Sequence, residues 1–277
     1  MPSLSIARAA NAAFSPSYLP TAIFVGGTSG IGQAMAEAFA RYTKGNAHII
    51  LCGRNREAAE KIIATFPKPT TSHPAARHEF VQCDAALMRN VHATTSSLLE
   101  RLSKVNFLVL SPGFFNVKGR DELPEGIDGR LGLHYYARWK FTHDLLPLLK
   151  NASDAGDDAK MMTILGAGAG GKIDLGILSS SRTYPSAVRT PLVQPDNRAL
   201  RPLVGGLMAL MSPLTTSAGD CAEYMLWALL DCGPGAQRRD SKGDDIGKKR
   251  YYGSEEAKER LWEHTIAEMN RVIGANP

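Results

Sequence analysis

The sequence predicts a single α/β domain on a doubly wound parallel sheet, and three observations carry that prediction. Short apolar, β-rich runs alternate with amphipathic stretches of helical period through the first 165 residues, the order of successive βαβ units. A glycine cluster stands between the first run and the first helical stretch. Neither a repeat nor a linker-like segment interrupts this half.

Thr21–Val25 is the first expected strand, and behind it Met35, Ala38, Phe39 and Tyr42 recur at helical spacing. The alternation continues with a strand over His48–Cys52, a helix over Glu57–Thr65 and a strand over Glu79–Cys83. A helix over Val91–Leu102 and a strand over Phe107–Leu110 follow. A long helix is then expected from about Gly129 to Leu149, with a fifth strand over Met161–Leu165. Residues 21–165 form one half of the domain and 166–277 a less regular C-terminal half. In the latter, Gly166–Gly176 is glycine-rich and Leu178–Tyr184 reads as a short strand. Helices are expected over Leu200–Met211, Asp220–Leu230 and Glu255–Ile273. Cys221, Met225, Ala228 and Leu229 share a face of the second, and Trp262, Ile266, Met269 and Ile273 recur on the third. Trp227 and Trp262 therefore read as core.

The first 36 residues hold no Asp or Glu, and Arg8 sits in an Ala/Ser-rich stretch, a composition shared with organellar transit peptides. The simpler expectation for residues 1–20 is a short disordered lead-in.

Hydrophobic residues make up 44% of the 277 and charged residues 21%, which argues against a disordered chain or a coiled coil. The longest apolar runs, Leu203–Met211 and Tyr224–Leu230, are core-sized, so no membrane partner is expected. A net charge of +5 suits an anionic ligand. The local excess at Arg238, Arg239, Lys242, Lys248, Lys249 and Arg250 is broken by Asp240, Asp244 and Asp245, so it reads as a solvated loop and not a nucleic-acid patch. Four dispersed cysteines, with no Cys-x-x-Cys and no His-Glu-x-x-His, predict neither a disulfide framework nor a metal site. A reducing, cytoplasmic setting follows.

Gly26-Gly27-Thr28-Ser29-Gly30-Ile31-Gly32 joins the first strand to the first helix. Gly26, Gly30 and Gly32 suit a chain that must turn tightly, approach a pyrophosphate closely and let the helix pack against the strand. The helix N-terminus adds free N–H donors and a partial positive charge. The arrangement is Rossmann-type, with a dinucleotide as the expected cofactor. An NAD site would place Asp or Glu after the second strand; here stands Gly53-Arg54-Asn55. Arg54 suits a 2′-phosphate, so NADPH/NADP is expected in preference to NAD.

These residues resemble the short-chain dehydrogenase/reductase family, clearly over about residues 20–165. The resemblance implies that Gly26, Thr28, Ser29, Gly30, Ile31 and Gly32 hold pyrophosphate and ribose, Arg54 and Asn55 the 2′-phosphate side, and Asp84 the adenine. Leu110-Ser111-Pro112-Gly113 stands where the family has Asn-Asn-Ala-Gly; Gly113 is retained and the strand's asparagine bracing is missing. Tyr184-Pro185-Ser186-Ala187-Val188-Arg189-Thr190 resembles the nicotinamide-holding stretch, with Val188 at the carboxamide and Thr190 at a phosphate. The overall look is similar to divergent fungal members often found in secondary metabolism.

The family's catalytic tyrosine and a lysine four residues later should follow the fifth strand. Between Leu165 and Leu178 lie only 12 residues, five of them glycine, so the helix that should carry them reads as excised. The proton donor is therefore unassigned. Tyr136-x-x-x-Lys140 has the spacing but precedes the fifth strand, His134 falls at the family's asparagine position, and Tyr184 borders the nicotinamide stretch.

The resulting expectation is an NADPH-dependent oxidoreductase interconverting a ketone and a secondary alcohol on a small apolar molecule. The alternative is a catalytically inactive NADPH-binding sensor or paralogue; a methyltransferase is disfavoured because Gly53-Arg54 stands where an acidic residue is wanted. A homo-oligomer is possible, although the usual family interface would lose the excised helix.

Overall fold

The computed structural model describes residues 2–70, 73–114, 121–165, 188–189, 215–247 and 253–274. Its centre is a parallel sheet of β1 (Thr21–Val25), β2 (His48–Gly53), β3 (His78–Gln82), β4 (Phe107–Leu110) and β5 (Lys160–Thr163), in the order β3-β2-β1-β4-β5. Phe24 of β1 lies between Leu51 of β2 and Val109 of β4. Helices cover both faces, which is why β1, β2 and β4 read as near-continuous apolar runs.

Side chains of period two divide the core. Ala22, Phe24, Ile49, Leu51, Phe107 and Val109 face α2 (Gly30–Tyr42), α3 (Arg56–Thr65) and α7 (Ala218–Asp231). Ile23, Val25, Ile50, Cys52, Leu108 and Leu110 face α4 (Met88–Arg101), α6 (Ala137–Asp154) and α8 (Glu255–Ile273). The Cys221, Met225, Ala228 and Leu229 face of α7 is buried as its spacing predicts. A two-stranded parallel pair, β6 (Val188–Arg189) with β7 (Thr216–Ser217), leads into α7.

The structure corrects three expectations. The described part of the N-terminal segment, residues 2–20, is not a disordered lead-in: α1 (Leu4–Ala12) is N-capped by Ser3 and packs on α7. It is anchored by buried Asn11, whose amide donates to the Glu223 carbonyl (2.9 Å) and carboxylate (3.0 Å). Trp262 is not core. It is 52% exposed and meets Trp139 edge-on, whereas Ala257, Thr265, Met269 and Val272 are the buried positions of α8. Thr265 turns inward because its hydroxyl pairs with the Tyr135 hydroxyl at 2.6 Å. Trp227 is only part-buried, under the Arg239 guanidinium. Finally, the long helix is not uniform. It starts as α5 (Gly129–Leu131), widens into a π-helical turn (Gly132–Tyr136) and continues as α6.

The expected strand over Leu178–Tyr184 and helix over Leu200–Met211 lie outside the described residues, as does the glycine-rich Gly166–Gly176.

Candidate functional site

β1 ends at the glycine turn. Gly26 has φ +77° and its N–H donates to the Cys52 carbonyl (2.9 Å), tying the turn to β2. A Cβ on Gly32 would stand 2.4 Å from the Gly26 carbonyl oxygen, so the turn folds tightly against the first turn of α2. That helix carries no acidic residue in its first turn and Ser29 makes no side-chain capping bond, which leaves its leading amides to an anion.

Beyond the C-terminal ends of the strands lies a cleft of about 440 Å³. Gly26, Thr28, Ser29, Gly30 and Ile31 line its centre, Arg54 and Asp84 the side of β2 and β3, and Gly113 and His134 the side of β4 and β5. Thr28 packs over the end of β2: a Cβ on Gly53 would stand 2.9 Å from its hydroxyl oxygen. The Asp84 carboxylate accepts the Ala86 N–H at 3.1 Å, ordering the turn after β3. Arg54 is exposed at the rim. Gly32 and Asn55 do not line the cleft. Gly32 provides the close approach just described, and Asn55 caps α3 by accepting the Ala58 N–H at 3.0 Å.

The proton-transfer candidates separate. Tyr136 lies off the cleft, its hydroxyl paired with His264 Nε2 at 2.7 Å, and burial with the nearby Glu268 charge pushes its pKa up to about 12. Lys140 also lies off the cleft, buried in an ion pair with Asp144 at 2.6 Å, so the Tyr136/Lys140 spacing does not bring phenol and ammonium together. His134 does line it, on the π-helical turn. Its Nε2–H donates to the Phe114 carbonyl (3.1 Å), while Nδ1 is buried without a partner. Burial, aided by the Arg138 charge, lowers the His134 pKa below its ordinary value and favours the neutral ring. Val188 is described as backbone, paired with Thr216. Tyr184 and Thr190 lie outside the described residues.

Sequence reasoning missed Arg138 and Thr163, which meet at the wall formed by β4 and β5. A signal for Arg138 existed: it shares the buried stripe of Phe141, Leu145 and Leu148, an apolar-face position held by a charge.

The family model described as short chain dehydrogenase matches residues 20–134. Oxidoreductase AN1596 of Emericella nidulans is 36% identical over 168 residues, 61% of this chain and 48% of that protein. The polyprenol dehydrogenase of Homo sapiens is 27% identical over 146 residues, 53% of this chain and 42% of that protein. A short-chain dehydrogenase of Streptomyces avermitilis has the same fold, with a TM-score of 0.54 at 18% identity over 91% of this chain and 94% of that one. Residues 20–134 thus resemble the short-chain dehydrogenases in sequence, and the likeness to the solved structure shows their fold. The chain spans about half the length of the curated relatives it matches.

Proposed function

We propose that this chain is an NADP(H)-dependent oxidoreductase that interconverts a ketone and a secondary alcohol. The observation that carries the reading is convergence on one cleft of the glycine turn, the uncapped start of α2 and the Arg54 side chain. A diphosphate suits the α2 amides, a 2′-phosphate the rim cation and an adenine the turn at Asp84. Leu123, Leu133, Ile164 and Leu165 along the other walls favour an apolar substrate. When bound, the dinucleotide supplies or takes up the hydride. The chain's part is to orient the partners and move one proton.

His134 is the candidate for that proton: its ring lines the cleft, and a turn of the side chain that uncovers the unpaired Nδ1 lets the neutral ring accept from an alcohol. A lowered pKa means this capacity is present at neutral pH and lost as pH falls through the lowered value. Alcohol oxidation is therefore expected to decline on the acid side, below the ordinary histidine value of 6.5. In His134→Gln the acid limb disappears and turnover falls about a hundredfold, measured as NADPH appearance across pH. An unchanged acid limb in the variant removes His134 from this role.

Titration of the protein with NADPH and NADH, followed by nucleotide fluorescence, tests the cofactor assignment. NADPH is expected to bind at least about tenfold better, roughly 1.4 kcal/mol. In Arg54→Ala that preference collapses toward parity while NADH affinity is unchanged. If neither nucleotide binds, the reading fails. Because Tyr136 and Lys140 are engaged away from the cleft, a second reading stands beside it: an NADPH-binding protein without turnover. NADPH binding with no reduction across a panel of aliphatic and cyclic ketones favours that second reading.

A further inference from the structure

Arg138 is 6% exposed, and among the described residues no carboxylate pairs with it. Its Nη1 donates to the Leu110 carbonyl (2.6 Å) and the Thr163 hydroxyl (2.5 Å), and its Nη2 donates to the Pro112 carbonyl (2.6 Å). One guanidinium thus joins the last residues of β4 and β5 to the loop between β4 and α5. Burial lowers its pKa only to about 10, so it stays cationic at neutral pH. Its Nε–H is buried with no acceptor. A buried cation without a counter-ion is costly, and this one stands on the wall of the cleft. Leu110-Ser111-Pro112-Gly113 supplies no asparagine to hold this loop, and two bonds from Arg138, to the Leu110 and Pro112 carbonyls, hold it instead.

Direction along the sheet decides what this wall serves. Arg54 and Asp84 follow β2 and β3, so an adenosine half lying there leaves the other half of a dinucleotide to cross β1 toward β4 and β5. We infer that Arg138 is the positioning residue for that nicotinamide half. It clamps the ends of β4 and β5 and the Ser111–Gly113 loop into one wall and draws the anionic dinucleotide against it. This rests on the NADP(H) reading above, and the test keeps the two apart.

The full chain is titrated with NADPH and with adenosine 2′,5′-bisphosphate, which carries adenine and the 2′-phosphate but no nicotinamide half. Arg138→Gln is expected to weaken NADPH at least about tenfold while the bisphosphate stays within about twofold of wild type. Equal weakening of both probes, or unchanged NADPH affinity, overturns the inference. Thr163→Val keeps the cation and removes one acceptor, so it covers the case in which Arg138→Gln does not fold. It is expected to weaken NADPH about two- to threefold and leave the bisphosphate unchanged; equal affinity for NADPH in this variant and wild type counts against the clamp. Arg138→Lys keeps the charge but cannot reach three acceptors, so full recovery of NADPH affinity in it also overturns the clamp. If wild type binds neither probe, the cofactor reading itself falls; if wild type binds both and the variants behave alike, only the role of Arg138 does.

Discussion

Gly32→Ala is expected to reduce NADPH affinity by about a hundredfold or more, beyond any effect on folding. The added methyl would stand 2.4 Å from the Gly26 carbonyl oxygen and 3.1 Å from the Ser111 Cβ. A backbone carbonyl cannot rotate away as a flexible side chain does, so α2 must shift outward or the turn must open. Overpacking of this kind costs about 1–3 kcal/mol in stability. The larger effect falls on the ligand, because the start of α2 and the turn define the diphosphate position together, and a displacement near 1 Å is enough to lose aligned hydrogen bonds. Gly26 reinforces the point from the other side, since its Cβ would meet Pro112 N at 2.7 Å. Denaturant unfolding beside an NADPH titration of the folded variant separates the two contributions. Loss of stability with wild-type NADPH affinity would falsify a ligand-binding role for this turn and leave it a packing device.

Elements differ in how openly the sequence announces them, and the reason is where their partners lie. β1 and β4 are covered on both faces, so their runs of apolar residues match the observed Thr21–Val25 and Phe107–Leu110 residue for residue. β3 is an edge strand with a part-exposed pattern, and it lies one residue earlier, at His78–Gln82, than the expected Glu79–Cys83. Asn55 and Ser217 cap α3 and α7 through contacts only three residues away, yet the hydrophobic spacing alone starts those helices at Glu57 and Asp220. α1 is opaque: its anchoring bonds run from Asn11 to Glu223, a separation of 212 residues, and its buried positions are only Ala7 and Asn11. Glu223 is in turn held by Arg41 (2.6 Å) and Tyr42 (2.9 Å), so three helices share one buried carboxylate that no local pattern reveals.

The site shows the same division. The glycine turn, Arg54 and Asp84 are legible because strand ends and loop chemistry place them, and the cleft brings them together. Arg138 is not, because its worth comes from acceptors at Leu110, Pro112 and Thr163, all 25 to 28 residues distant. On α8 the hydrophobic spacing points to Trp262, but the hydroxyl pair of Thr265 and Tyr135 turns a different stripe inward. A polar contact across helices outweighs the moment of a single one.

The largest expected loss of stability is at Phe39. Its fully buried ring lies 6.0 Å from Phe14, 5.9 Å from Phe24 and 5.4 Å from Phe107, measured between centroids, and so joins α2 to β1, β4 and the segment after α1. Phe39→Ala removes that ring from a site walled by β-strands that collapse little, and about 3–5 kcal/mol of unfolding free energy should disappear. Denaturant unfolding reads it directly. Phe14→Ala is the sharper question. Its ring also meets Phe107 edge-on at 5.9 Å, and it is part-buried, so a loss of about 1–2 kcal/mol is expected. Residues in contact share this energy, so the double variant should lose less than the two single losses combined. Phe14→Ala within about 0.5 kcal/mol of wild type would mean that the N-terminal helix rests on the domain without contributing to its core. A measured coupling between the two rings makes α1 part of the layer that supports β1 and, through β1, the glycine turn at its end.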